Sequence, residues 1–151
     1  MKKIIFLALI FVNISAFAQT GNSNTPKKLV TEFFVAFHAQ DTVTLKTLAN
    51  EGARLESVSI DAEGNTKLTR GDYSKFLKGI ASIPADATFE EKLHEFRVEE
   101  NGPLATVTTP YSFYYNGTFS HCGVNTFQLV KLHGEWKIVY LIDSRKKENC
   151  K

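Results

Sequence analysis

Apolar residues recur at intervals of three and four in three segments of the N-terminal half, which is typical of amphipathic helices. Thr25 precedes the first segment and Asp41 the second, and both residue types favour a helix N-cap. Gly71-Asp72 opens the third segment and Pro84 ends it. The apolar positions of the three predicted helices are Leu29, Val30, Phe33, Phe34 and Phe37; Leu45 and Leu48; and Tyr73, Phe76, Leu77 and Ile80.

Alternating apolar and polar residues predict strands in the rest of the chain. A strand at 53–60 returns through 67–69 between the second and third helices, and a long strand is expected at 88–99. Asn101-Gly102 then makes a tight turn into three more strands that end near Cys150. A four-stranded antiparallel meander must bury one face, and three helices are available to cover it. Since long strands curl by their twist, we predict an α+β cone whose interior is a natural small-molecule cavity.

The turn after Tyr115 sets which side chains face this interior, and two registers are possible. A two-residue turn pairs Tyr114 with Phe119 and keeps His121 away from Phe113. A three-residue turn with a bulge pairs Tyr115 with Phe119 and brings Phe113 beside His121. We prefer the second register because it gathers more apolar residues on one face. A bulge at Pro110 could also reset the pairing.

The N-terminus has the pattern of an export signal. A positive Lys2-Lys3 is followed by an apolar run at 4–12 and by Ala16-Phe17-Ala18, which fits the cleavage pattern. We therefore expect residues 1–18 to be removed between Ala18 and Gln19. Residues 19–25 would be a disordered linker and residues 26–151 a single domain. The mature protein would be periplasmic or secreted and would keep no membrane anchor, because the apolar run is shorter than the roughly 20 residues of a membrane span.

The charge and the cysteine content limit which ligands and which covalent bonds we expect for the mature protein. Removing Lys2 and Lys3 from the 18 basic residues leaves 16, which equals the number of acidic residues. Because the mature chain has no net charge and no cluster of basic residues that could hold a phosphate backbone, we do not expect nucleic acid as a partner. Two cysteines in an exported chain favour a Cys122–Cys150 disulfide, which would stabilise the fold by about 3–4 kcal/mol. Two free thiols are the alternative. The cysteine and histidine spacings match no metal motif, and no cofactor is expected.

Several motifs together resemble a known superfamily. They are Phe33-Phe34-x-x-Phe37, Gly71-x-Tyr73, Tyr111-x-Phe113-Tyr114-x-Asn116-Gly117, His121-Cys122-Gly123, Trp136-Lys137-Ile138 and Asp143-Ser144-Arg145. By these residues the chain is similar to the nuclear transport factor 2-like superfamily. Among its members the chain most resembles small exported bacterial proteins of the SnoaL-like, polyketide-cyclase-like or lumazine-binding type.

The resemblance implies a cone in which three N-terminal helices pack on a curved antiparallel sheet. It also implies that catalytic members project an Asp, or an Asp–His pair, into the cone. This chain has no clean match to that pair. Asp41 lies near where some members carry an acid, but it serves equally well as a helix cap.

His121 is the leading candidate for acid–base chemistry, because strand alternation places it on the interior face if Cys122 bonds the C-terminal tail outside. The residues expected on its face are Phe119, Gly123, Asn125, Phe127 and Leu129. The residues expected to line a pocket for a flat ligand are Phe34, Phe37, Tyr73, Phe76, Phe113, Tyr115, Asn125 and Phe127. Plain core packing is the alternative for each of them. Asp143 could meet a ligand at the rim, but we favour a pair with Arg145 or a nearby Lys in solvent.

Three functional hypotheses remain open from the sequence. The first is an exported module that binds a small apolar or aromatic ligand. The second is an isomerase, cyclase or dehydratase that uses His121 as acid–base and Tyr115 or Asn125 as a polarising donor. The third is an interaction module that uses the outer sheet face to form a homodimer or to dock another protein. We rank binding first because no acid–base pair is visible.

Overall fold

The computed structural model describes residues 24–150. They form three helices and one seven-stranded sheet, so the predicted α+β architecture is confirmed. The helices are α1 (Pro26–His38), α2 (Thr42–Leu48) and α3 (Tyr73–Ala81). The strands are β1 (Ala49–Ile60), β2 (Thr66–Asp72), β3 (Phe89–Leu93), β4 (Arg97–Asn101), β5 (Leu104–Tyr115), β6 (Thr118–Leu132) and β7 (Glu135–Lys146). The predicted signal segment and residues 19–23 of the predicted linker lie outside the described residues.

Side-chain caps fix where the helices begin. The Thr25 hydroxyl accepts a hydrogen bond from the Lys28 amide, and Pro26 occupies the first turn, where its missing N–H is no loss. The Asp41 carboxylate accepts from the Thr44 hydroxyl and from the Val43 and Thr44 amides of α2. These bonds, that of the hydroxyl first, hold the pKa of Asp41 below its ordinary value. Asp72 caps α3 in the same way. Asp41 is therefore a helix cap.

The strand order across the sheet is β2-β1-β7-β6-β5-β3, and β4 also pairs with β5. The pairs are antiparallel except for β1 and β7, which run parallel. The sequence predicts an antiparallel sheet and gives no sign that β1 lies beside β7. A pair so distant along the chain is not joined by a hairpin, so no turn signal reports its direction.

The strand predicted at 88–99 is divided into two. Leu93 pairs with Tyr111, and Arg97 pairs with Thr108, so β3 and β4 lie against the same strand with one extra residue between them. An extra residue reverses which face the side chains occupy. As a result Leu93 and Phe96 both pack against the core, whereas simple alternation would have placed them on opposite faces.

The β5–β6 hairpin combines features of both registers. Tyr115 pairs with Thr118 across a two-residue turn, and both turn residues have positive φ, as a type I′ turn requires. An extra residue then shifts the pairing so that Phe113 lies opposite His121. The preferred three-residue turn and its Tyr115–Phe119 pair are wrong, although the expected Phe113–His121 pair is present. The register runs unbroken through Pro110.

The same shift moves Phe119 to the outer face. Phe119 pairs with Tyr114, and their ring centroids lie 5.7 Å apart. The prediction that Phe119 shares the face of His121 is therefore wrong.

The core fills the closed part of the cone beneath α1. Phe33 and Phe34 of α1 pack edge-on against Phe127 of β6. Around them lie fully buried aliphatic residues of α1, α2 and the sheet, namely Val30, Leu45, Val107, Leu129 and Ile138.

A disulfide joins Cys122 on the outer face of β6 to Cys150, with Cα atoms 5.8 Å apart. The predicted disulfide is confirmed, and the alternative of two free thiols is wrong. Within residues 24–150, no helix is long and apolar enough to cross a membrane.

Candidate functional site

Two adjoining cavities occupy the open part of the cone. One has a volume of about 260 Å³ and the other of about 70 Å³. Phe37, Phe76, Glu91 and Arg145 line both of them, so the two spaces share one wall. Outside them, a wider surface groove of about 900 Å³ runs along the C-terminal segment and also touches His121 and Arg145.

Aromatic rings form the apolar side of this space. Phe37 and Phe76 stack with centroids 6.0 Å apart and planes 20° from parallel. Phe89 lies edge-on to Phe37 at 4.9 Å and is tilted against Phe113 at 6.4 Å. Their flat faces suit a planar ligand, because offset and edge-on contacts between rings add attraction beyond the area they bury.

Glu91 and Asn125 form the first polar contact of the cavity wall. Asn125 is only 4% exposed, and its Nδ2 donates to Glu91 Oε2 at 2.9 Å. Burial raises the pKa of Glu91 to about 7, and the nearby Asp143 carboxylate adds to the rise. Glu91 is therefore close to half protonated at neutral pH, so it can give or take a proton there.

Tyr111, Asp143 and Arg145 form the second polar contact. The Tyr111 hydroxyl donates to Asp143 Oδ2 at 3.0 Å, and Arg145 Nε donates to the same oxygen at 2.7 Å. Burial, and then the Asp143 charge, raise the pKa of Tyr111. Asp143 is 7% exposed, whereas half of the Arg145 side chain is exposed, so the pair joins a buried carboxylate to the rim of the cavity and does not lie entirely in solvent as the sequence predicts.

A glycine makes the Tyr111 contact possible. Gly123 lies between Tyr111 and Arg145 in the register of the sheet. A Cβ at this position would collide with the Ser144 carbonyl and touch the Tyr111 ring. The bare backbone lets the tyrosine ring pass over β6 to reach the carboxylate of Asp143 on β7.

His121 lies where the larger cavity meets the outer groove. Its ring is 4.9 Å from that of Phe113 and 5.7 Å from that of Tyr111, and Nδ1 is 3.1 Å from Ser120 Oγ. Burial, and next the Arg145 charge, lower the pKa of His121. The imidazole is therefore neutral at pH 7 and available as a base.

Comparison with solved structures identifies the architecture. No protein-family model and no curated protein matches the sequence. A nuclear transport factor 2-like protein from Cytophaga hutchinsonii is 10% identical, with a TM-score of 0.62 over 80% of this chain and 94% of that one. A candidate dehydratase of the same family from Streptomyces avermitilis is 19% identical, with a TM-score of 0.59 over 78% and 91%. A cystatin-like-fold protein of unknown function from Nostoc punctiforme is 11% identical, with a TM-score of 0.62 over 81% and 89%.

The protein has the nuclear transport factor 2-like fold. The superfamily resemblance drawn from the sequence is thus supported by the structure, while identities this low carry the fold alone.

The nuclear transport factor 2-like cone brings together most of the residues predicted for a pocket. Phe34, Phe37, Phe76 and Asn125 line the smaller cavity. Phe37 and Phe76, with Phe113, Tyr115 and His121, line the larger one.

Tyr73 and Phe127 lie in the packed core of the fold. The Tyr73 hydroxyl donates to the Leu45 carbonyl at 2.9 Å, and Phe127 is fully buried against α1. Neither residue lines the two cavities. Within residues 24–150, no group of three or more His, Cys, Asp or Glu side chains could hold a metal ion.

Glu91 is the site residue that the sequence analysis missed. It lies two residues from Phe89 and two from Leu93, and both of these neighbours pack in or against the core. Strand alternation therefore places Glu91 on the same inner face. A lone carboxylate between two inward apolar positions was the signal that could have found it.

Proposed function

We propose that this domain binds a small molecule with a flat apolar body inside the cone. The ring of the ligand would lie among Phe37, Phe76 and Phe113, and its polar end would meet the Glu91–Asn125 contact. The observation that carries the proposal is an aromatic cavity that ends in buried polar side chains. Protein interiors are close-packed, and a buried carboxyl group is costly, so such a space favours a ligand-binding role over a structural one.

The size of the space supports a ring-sized ligand. The larger cavity has a volume of about 260 Å³. An engineered apolar cavity of roughly 150 Å³ in another protein holds benzene. A single substituted ring or a small bicyclic compound therefore suits the available volume.

A cavity-filling variant tests this proposal. Ile83 lines the larger cavity, and Ile83→Phe should fill part of it. Leu132→Phe makes the same kind of change at an exposed position away from the cavity. Titration with 1-naphthol, followed by methyl NMR, should show binding to the wild type and to Leu132→Phe and at least tenfold weaker binding to Ile83→Phe. Equal affinity in all three proteins would contradict the proposal, provided that the variant spectra show a native fold.

One observation favours an enzyme as the second candidate function. Glu91 and His121 line the same cavity, one with a pKa of about 7 and the other with a lowered pKa. Such a pair can exchange protons with a bound substrate near neutral pH. The dehydratase description of one structural neighbour concerns that neighbour and suggests only a reaction class to try. Turnover that is lost in both His121→Gln and Glu91→Gln, while the affinity for the neutral probe 1-naphthol is kept, would favour this candidate over a pure binder.

We also infer export of the protein, with cleavage after Ala18. The Cys122–Cys150 disulfide supports this inference, because such bonds persist in oxidising compartments. The homodimer also stays a prediction, supported by three exposed apolar residues on the outer strand faces, Ile60, Leu68 and Val124. A lumazine-type ligand has no specific support among the cavity residues.

A further inference from the structure

Two hydrogen-bond acceptors at the polar end of the cavity are open to a ligand. Asn125 Nδ2 donates to Glu91 Oε2, which leaves Asn125 Oδ1 and Glu91 Oε1 without a hydrogen-bond donor among the described residues. Asn125 is 96% buried, and both side chains line the cavity. Within residues 24–150 every fully enclosed side-chain oxygen or nitrogen has a hydrogen-bond partner, so these two oxygens are accessible from the cavity, and a ligand that donates hydrogen bonds fits this position.

The charges around Glu91 leave its carboxyl group without a cation of its own. Arg145, the basic side chain that lines the cavity with Glu91, donates through Nε to Asp143 at 2.7 Å. Asp143 is a second negative charge nearby, and Tyr111 is a neutral phenol. The flanking Glu90 and Lys92 side chains are half-exposed and lie 3.8 Å from each other.

Neither histidine near Glu91 supplies the missing positive charge. His38 Nε2 accepts the backbone N–H of Glu91 at 2.9 Å, so this nitrogen carries no proton. Burial lowers the pKa of His38, and burial with the Arg145 charge lowers the pKa of His121. Glu91 and Asp143 against Arg145 thus give the cavity a net charge of about −1 when Glu91 is ionised.

We propose that the ligand carries a positively charged nitrogen that donates hydrogen bonds to Glu91 Oε1 and Asn125 Oδ1, on an aromatic body held by Phe37 and Phe76. This inference rests on the proposed small-molecule binding and adds the chemical class of the ligand. Primary arylalkyl amines and aryl amidines belong to this class. The aromatic walls also favour a cation, because ring faces carry partial negative charge. An anionic ligand would instead face two carboxylates.

Proton linkage gives the proposal a definite sign. The cation binds the ionised form of Glu91, and the pKa of this group in the free protein is about 7. At pH 6 about a tenth of the free protein is ionised at Glu91, whereas at pH 8 about nine-tenths is. The affinity for an amine that stays protonated should therefore rise about tenfold from pH 6 to pH 8, with release of about nine-tenths of a proton on binding at pH 6 and about a tenth at pH 8.

Three probes with one ring and different end groups test the inference: benzylamine, benzyl alcohol and benzoate. Their affinities would be measured at pH 6 and pH 8 by methyl NMR titration of Ile83 and Leu55, which line the two cavities. The proteins compared would be the wild type, Glu91→Gln and the matched control Glu90→Gln, whose side chain is exposed. We expect benzylamine to bind best at pH 8, with the tenfold pH effect present in Glu90→Gln and absent in Glu91→Gln.

The other outcomes separate this inference from the proposed function. Equal binding of benzyl alcohol and benzylamine, with no pH effect, would overturn the amine class and leave small-molecule binding intact. Preference for benzoate, with affinity falling as pH rises, would overturn it and assign the polar end to Arg145. Absence of binding by all three probes and by 1-naphthol would overturn both proposals together.

Discussion

Glu91 gives this fold a pH-dependent weakness that can be measured without knowing the ligand. Its carboxyl group is buried in the cavity wall, where burial raises its pKa from an ordinary 4.5 to about 7. Because the unfolded chain releases this proton at lower pH than the folded chain does, the folded state loses stability as pH rises from about 4.5 to 7. The loss is nearly complete by pH 8 and stays constant above that pH.

The size of the effect follows from the shift. A rise of about 2.5 pKa units corresponds to roughly 3 kcal/mol between the two limits, since one unit is worth about 1.4 kcal/mol. At pH 5 less than about 1 kcal/mol of that loss has developed, and at pH 8 all of it has. Glu91→Gln removes the charge and keeps an oxygen that can accept the Asn125 hydrogen bond. The free energy of unfolding of the variant should therefore gain about 2.5 kcal/mol on the wild type between pH 5 and pH 8.

Urea unfolding at pH 5 and pH 8, with the disulfide intact, measures this gain directly. Glu90→Gln is the control, because the Glu90 side chain is half-exposed and its removal should not change with pH in this way. A difference between Glu91→Gln and the wild type that stays constant within about 0.5 kcal/mol across the two pH values would refute the reasoning. The carboxyl group of Glu91 would then be solvated in the native protein.

Three further predictions concern the disulfide, the position of Gly123 and the role of His121. Replacing Cys122 and Cys150 by Ser should lower the free energy of unfolding by about 3–4 kcal/mol, measured in urea without reductant against the disulfide-bonded wild type. Gly123→Ala should lower the free energy of unfolding by at least about 2 kcal/mol, because its methyl group meets the Ser144 carbonyl. The control Gly79→Ala, which has open space at its Cβ in α3, should raise the free energy of unfolding by about 0.5–1 kcal/mol. A Gly123→Ala protein as stable as the wild type would contradict the close approach of β6 and β7 at Gly123. If the domain only binds, His121→Gln should keep 1-naphthol affinity within about twofold, and a loss of tenfold or more would place the imidazole in the binding contact.

The sequence was sufficient to predict the helices and the general architecture. Residues of α1 and α3 repeat at helical spacing, and each helix has a capping side chain just before it, so local rules decide these elements. The aromatic residues Phe33, Phe34 and Phe37 also indicated which helix covers the sheet. The disulfide followed from cysteine number and the predicted compartment.

The details of the sheet depend on interactions that the sequence does not display. A single extra residue in β6, and another between β3 and β4, reverses the faces of everything beyond it. The Asn116-Gly117 sequence predicts the type of turn, but it does not predict the extra residue, Ser120, in the strand that follows. The parallel pairing of β1 with β7 likewise arises from tertiary packing.

Part of the candidate site was open to prediction and part was not. Asn125 and the phenylalanines were found because strand and helix periodicity places them on inner faces. Glu91 was overlooked because a charged residue in a strand is usually exposed. Its position in the cavity wall depends on contacts with His38 of α1 and Asn125 of β6, which lie far from it in the sequence. The Tyr111 contact with Asp143 required the bare backbone of Gly123, which acts across three strands.

Native mass spectrometry of the chain, purified without denaturation from cells that export it, tests the central claim most directly. We predict that the wild type retains a small molecule that Ile83→Phe fails to retain and that Leu132→Phe keeps. The same spectrum should show the mass of a disulfide-bonded chain. A wild-type protein that carries no ligand, and that takes up neither 1-naphthol nor benzylamine when these are added, would contradict a ligand-binding cone.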